Sequence, residues 1–129
     1  MSPFAEAPPA LDHVQVAAPA GCETEARRFY GDLLGMAEVD KPAALAERDG
    51  VWFALADGTQ LHVGVTAEFA PALKAHPGLR VPTVTGLEAL ARRLAEAGAP
   101  VTWDTELAGV RRFFTADPFG NRIELLAVG

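Results

Sequence analysis

Three histidines and one glutamate carry most of the chemistry this sequence offers. His13 stands in the apolar run Leu11-Asp12-His13-Val14-Gln15-Val16, and His62 follows 49 residues later in Gln60-Leu61-His62-Val63-Gly64-Val65. His76 opens a second half, and 48 residues beyond it comes Glu124, in Arg122-Ile123-Glu124-Leu125-Leu126. Imidazole and carboxylate are the side chains best suited to first-row divalent metals. His13 with His62, then His76 with Glu124, therefore predict one metal centre built between two similar modules. An isolated strand histidine is more often a hydrogen-bonded, half-exposed residue than a ligand. What favours ligation is that all three histidines of the chain fall at matching points of a repeat.

The elements that must position these residues are written twice. In the first half, Leu11–Ala17 reads as a strand, and residues 23–34 place Ala26, Phe29, Tyr30, Leu33 and Leu34 on one helical face. Glu23 and Glu25 suit the first turn of that helix, and Gly35 ends it. Short strands follow near Met36–Val39, at Val51–Leu55 and, after the hairpin signal Asp57-Gly58, at Thr59–Val65. The second half repeats the order. His76–Val81 reads as a strand whose Pro77 suits only an edge or first position, and Leu87, Leu90, Ala91, Leu94 and Ala95 give a helical stripe ended by Gly98. Strands at Val101–Asp104, Val110–Ala116 and Arg122–Val128 complete it. The expected organisation is a flexible tail over 1–10 and one domain over 11–129. Module 1 spans about 11–65 and module 2 about 76–128, with 66–75 linking them.

Strand side chains alternate between two faces. Val14 and Val16, Leu61 and Val63, Leu79 and Val81, and Ile123 and Leu125 would pack beneath the helices. His13, Gln15, Gln60, His62, Gly64, Gly78, Arg80, Arg122 and Glu124 would share the other face. The fold class read from this pattern is α+β: two tandem βαβββ modules forming a cup-shaped, mostly antiparallel sheet with helices on the outside. Arg80 and Arg122 could grip a carboxylate or phosphate, and Gln15 and Trp52 are further substrate-binding candidates. Taken alone, an arginine at a sheet edge is as readily a surface residue, and strand aromatics such as Trp52 and Phe114 are more often core than pocket. The turn Asp117-Pro118-Phe119-Gly120-Asn121 is expected to carry no chemistry. Cys22, at a helix start, reads as a capping-region residue.

Composition narrows the classes. The net charge of −6 argues against a nucleic-acid surface, and no apolar run approaches the roughly 20 residues that span a bilayer. A single cysteine excludes an internal disulfide and fits a reducing compartment, so a cytoplasmic location is expected.

These residues make the chain resemble the vicinal oxygen chelate superfamily, the glyoxalase/bleomycin resistance/extradiol dioxygenase group, as a small glyoxalase-like member. The resemblance runs from about Leu11 to Val128. It is carried by Leu11-Asp12-His13-Val14-Gln15-Val16, Phe29-Tyr30-Gly31-Asp32-Leu33-Leu34-Gly35-Met36 and Asp117-Pro118-Phe119-Gly120-Asn121-Arg122-Ile123-Glu124-Leu125. It implies a glyoxalase-like fold with metal ligands on the first and last strands of each module, at His13, His62, His76 and Glu124. It also implies a divalent ion (Zn, Ni, Co, Mn or Fe(II)) and a homodimer. Enzymes like glyoxalase I have an acid where this chain has His62. The set His13, His76 and Glu124 matches the two-histidine-one-carboxylate pattern of extradiol dioxygenases and fosfomycin-resistance enzymes.

The leading expectation is a metal-dependent lyase or isomerase that chelates two vicinal oxygens of a small substrate, with Glu124 as the proton-transfer base and His62 the second choice. Alternatives are a metal-free small-molecule or antibiotic-binding protein of the bleomycin-resistance type, and an Fe(II) dioxygenase.

Overall fold

The computed structural model describes residues 7–129. Module 1 runs β1 (His13–Ala18), α1 (Glu23–Ala26) continuing as a π-helical segment (Arg27–Leu33), β2 (Ala37–Val39), a short 3-10 turn (Ala43–Leu45), β3 (Val51–Ala54) and β4 (Gln60–Val65). Module 2 runs β5 (Gly78–Arg80), α2 (Val84–Glu96), β6 (Thr102–Asp104), β7 (Val110–Ala116) and β8 (Arg122–Val128). The doubled βαβββ order is as expected. Of the tail expected over 1–10, residues 1–6 lie outside the described residues, and 7–10 form no regular structure.

The strands make two four-stranded sheets, β1-β4-β3-β2 and β5-β8-β7-β6, rather than one continuous sheet. In each, the first strand pairs in parallel with the last, and the other two pairings are antiparallel. Alternation along a strand fixes which face a residue takes but not whether two edge strands meet, so a single sheet and two sheets look alike in sequence.

Burial follows the alternation. Val16 and Ala18 of β1, Val51 and Phe53 of β3, Leu61 and Val63 of β4, Phe113 of β7, and Ile123, Leu125 and Ala127 of β8 are buried on the inner faces. Leu87, Ala91 and Leu94 of α2 close on them, with Leu90 half-buried and Ala95 exposed. Complete burial of each large apolar side chain stabilises the fold by about 1.5–3 kcal/mol. Thr83 caps α2, its hydroxyl accepting from the Gly86 N–H at 3.0 Å.

The helix expected over 23–34 is α-helical for only its first turn. From Arg27 it widens, and the Leu34 N–H reaches the Phe29 carbonyl, five residues back, at 3.0 Å. The periodicity argument could not separate the two, because Ala26, Phe29 and Tyr30 turn inward either way. Gly35 and Gly98 end the two helical stretches with φ of 80° and 89°, a region that penalises any side chain. The strand expected at His76–Val81 shrinks to Gly78–Arg80, and Pro77 stands just before it.

A buried polar knot joins the modules. Tyr30 donates its hydroxyl to Asp117 Oδ2 at 2.6 Å, and the other oxygen of Asp117 accepts the Phe119 and Asn121 N–H groups, each at 2.9 Å. The Asn121 amide donates to the Ala17 carbonyl of β1 at 2.7 Å and accepts from the Ala72 N–H at 2.9 Å. Asp117 and Asn121 are 4% and 1% exposed. The turn expected to be inert is thus the hinge pin between module 1, the linker and module 2. Burial and the Asp117 charge hold the Tyr30 hydroxyl well above its ordinary value.

Candidate active site

Strand register sets up equivalent positions in the two modules. His62 lies between Gln15 on β1 and Trp52 on β3. Glu124 lies between Gly78 on β5 and Phe114 on β7. His62 and Glu124 are therefore equivalent, as are Trp52 and Phe114, and His13 and His76 precede the equivalent residues Gln15 and Gly78 by two.

In module 1 the side chains form a column of flat rings. Trp52 and His62 stack at 3.7 Å with planes 4° apart, and His13 stacks on the opposite side of His62 at 4.5 Å. His62 is 6% exposed, and its Nε2 meets the Gln60 Oε1 at 2.9 Å. An amide oxygen only accepts, so that nitrogen carries the proton. Burial, and next the nearby His13, lower the His62 pKa below its ordinary value, so the ring is neutral. His13 Nδ1 donates to the Asp12 carboxylate at 2.8 Å. The Gln15 amide lies across Gly64, in the space a Cβ there would need. His13, Gln15, Trp52 and His62 line a cleft of about 640 Å³ bordered by Lys41 and Arg48.

Module 2 carries charge instead. His76 Nε2 lies 2.9 Å from Glu124 Oε1, and His76 Nδ1 lies 2.8 Å from the Lys74 carbonyl. A carbonyl only accepts, so Nδ1 is a donor. His76 Nε2 thus faces a carboxylate oxygen, an arrangement able to share a proton. Arg112 approaches Glu124 Oε2 at 3.5 Å and bonds Asp104 through its other terminal nitrogen. Phe114 forms the floor, with the Arg122 guanidinium 3.9 Å above its ring and His76 edge-on at 5.5 Å. Arg80, exposed, stands across Leu126 from Arg112 on the same face.

The proposed ligands thus fall into two pairs, His13 with His62 and His76 with Glu124. Among the described residues, no three His, Cys, Asp or Glu side chains converge to hold a metal. A catalytic metal site needs about three protein donors. One chain, as arranged, offers two at His76 and Glu124, so the residues present do not by themselves fit the ion. Of the substrate-binding candidates, Gln15 and Trp52 border the module 1 cleft, and Gln15 also meets Arg122 and His76 around a gap of about 390 Å³ between the modules.

Sequence reasoning passed over Arg112 and Asp104 and weighed Phe114 toward the core. Alternation along Val110–Ala116 would have found Arg112, which shares with Phe114 the face opposite Phe113 and Thr115. Cys22 is 2% exposed and makes no side-chain cap. Burial, then the neighbouring Glu23, push its thiol up rather than down.

The model of the Glyoxalase/Bleomycin resistance protein/Dioxygenase superfamily matches residues 10–125, and the chain belongs to that family. Among solved structures it is similar to a Bacillus anthracis protein assigned to the glyoxalase family, at 42% identity and a TM-score of 0.88, covering 96% of this chain and 98% of that one. The lactoylglutathione lyase of Agrobacterium tumefaciens shares the fold at 17% identity and a TM-score of 0.74, covering 95% and 96%. The oxidase ChaP-H2 does so at 21% and 0.70, covering 93% and 94%. A search of the curated proteins finds no match.

Proposed function

We propose that this chain is a glyoxalase-class enzyme that moves a proton on a small substrate bearing two neighbouring oxygens, with the His76–Glu124 pair as the proton-handling group. The observation that carries this reading is the 2.9 Å contact between His76 Nε2 and Glu124 Oε1 on the open cup face. Such a pair can release a proton to a developing enolate oxygen and retake one from carbon. Arg80 and Arg122 lie on the same face, where a guanidinium can orient an anionic group of the substrate. The lone, buried Cys22 fits a cytoplasmic setting.

The metal-dependent form of this reading needs a second copy. His76 and Glu124 would be two ligands, and His13 or His62 of the partner in a homodimer would supply the rest, with Zn, Ni, Co, Mn or Fe(II) all compatible with nitrogen and oxygen donors. Metal analysis of loaded, dialysed protein tests it, with His76→Ala as the comparison. Stoichiometric metal in the wild type and none in the variant is expected, and equal retention by both contradicts it.

The proton-transfer reading itself is tested by deuterium incorporation from D2O at the carbon next to the carbonyl of small α-hydroxycarbonyl compounds. The wild type accelerates exchange. Glu124→Gln loses roughly 10²–10⁴-fold of that acceleration. No acceleration by the wild type across the series overturns the reading.

One observation favours a second reading, a metal-free binding protein for a flat small molecule. The module 1 cleft is walled by the Trp52–His62–His13 column, a surface on which a planar ring can stack. Saturable quenching of tryptophan fluorescence by a ligand that is never turned over, lost in Trp52→Leu, would favour it.

A further inference from the structure

We infer that Arg112, locked by Asp104, is a positioning residue that decides which oxygen of Glu124 faces His76, an inference that rests on the proton-handling reading of that pair. Arg112 lies opposite Leu126 on β8, one step along the same face from Glu124, and Asp104 on β6 is its direct cross-strand partner. Its two terminal nitrogens are both committed, one to the Asp104 carboxylate and one toward Glu124 Oε2 at 3.5 Å. The second contact is long for a hydrogen bond but close for an ion pair. Its Nε is buried without a hydrogen-bond partner, so the polar contacts of the guanidinium run to the two carboxylates, with the Phe114 ring 5.2 Å away. Side-chain exposure is 18% for Arg112 and Asp104 and 12% for Glu124, which limits screening by solvent.

The carboxylate of Glu124 has a broad, nearly two-fold torsion about its last bond. Engaging Oε2 breaks that symmetry and leaves Oε1 to His76 and the open cup. Asp104 is itself anchored, accepting the Glu106 N–H at 2.8 Å. That bond comes first among the causes that hold its carboxyl below the ordinary value, with Arg112 contributing further.

The four groups Asp104, Arg112, Glu124 and His76 thus form one chain across β6, β7, β8 and the segment just before β5. Module 1 has no such chain. Its position equivalent to Arg112 is Gly50, where φ is 103° and a Cβ would run into the Val63 carbonyl oxygen. Arg80 and Arg122, on the same face, make no hydrogen bond to Asp104 or Glu124 among the described residues.

The test needs no substrate in its first arm. The full-length chain has three histidines, so each ring's nitrogen resonances can be assigned by its own glutamine variant. At one fixed pH, Arg112→Gln and Asp104→Asn are expected to move the His76 ring-nitrogen signals by more than a line width while His13 and His62 stay in place. Arg112→Lys is expected to restore little, because one ammonium cannot span two carboxylates as a planar fork does. Unmoved His76 signals in a folded Arg112→Gln or Asp104→Asn protein overturn the inference, as does complete restoration by lysine.

In the second arm, deuterium exchange should show kcat lowered roughly tenfold to a hundredfold in Asp104→Asn with KM within about twofold, since positioning acts on the reacting geometry. A raised KM with unchanged kcat would instead make Arg112 a substrate grip. If His76 moves while the wild type catalyses no exchange, the positioning chain stands and the proton-transfer reading fails.

Discussion

The same β-scaffold appears twice in this molecule and carries opposite chemistry. In module 1, His62 sits between Trp52 and His13 as a neutral ring in a stacked column. In module 2 the equivalent position holds Glu124, linked to His76 and Arg112. The arginines of the second cup, Arg80, Arg112 and Arg122, correspond by register to Ala17, Gly50 and Gln60 of the first. Duplicated geometry therefore does not imply duplicated function. One cup stacks flat rings, and the other pairs a histidine with a glutamate beside cations.

The comparison depends first on the joint that fixes the two cups together. Asp117→Ala removes the acceptor of the Tyr30 hydroxyl and of the Phe119 and Asn121 backbone N–H groups in a buried setting. It should cost about 3–5 kcal/mol, as loss of a buried polar network does, measured as a shift in denaturant midpoint. A loss under 1 kcal/mol would show that the modules stand independently. The same joint gives an alkaline signature. Tyr30 is the only tyrosine, and its folded pKa lies above the ordinary 10.0. Its stabilising contribution is present below pH 10 and lost as pH rises through the folded value. Tyrosinate absorbance should therefore appear only together with unfolding, and Tyr30→Phe should flatten stability in that window.

Next in size is the asymmetry at Gly50. Gly50→Ala meets both a left-handed φ and a backbone carbonyl, and should destabilise by about 1–3 kcal/mol. A neutral result would remove the steric reason why module 1 lacks a counterpart of Arg112.

A smaller effect separates the two cups by pH. The folded His62 pKa lies below its ordinary 6.5 because the charged form is poorly solvated. The unfolded chain then binds the proton more readily, so the stability His62 contributes is full above pH 6.5 and declines as pH falls through the folded value. His62→Gln should flatten that part of the stability curve in chemical denaturation. An unchanged slope would mean the column tolerates an imidazolium.

Much of the fold was legible in the sequence because two periodicities and two glycine stops recur in order. Alternation placed Val16, Phe53, Leu61, Ile123 and Leu125 inward without any knowledge of neighbours. It could not tell an α-turn from a π-turn around Phe29, nor show that β1 and β5 head separate sheets. Of the site, the shared face was readable and the pairing was not, because parity says which side a residue takes but not which side chain it touches. His62 could be placed on the cup face, but not found packed on Trp52. Arg112 was invisible until its strand was read in the same alternation, and Asp117 looked inert because its burial is imposed by Tyr30 and Asn121, far away in sequence.

The central claim is that proton chemistry belongs to the second cup alone, and His62→Gln beside Glu124→Gln in the same deuterium-exchange assay tests it most directly. The account predicts that Glu124→Gln loses roughly 10²–10⁴-fold while His62→Gln keeps kcat within a few-fold and changes only KM. A collapse of kcat in His62→Gln with Glu124→Gln little affected would contradict it.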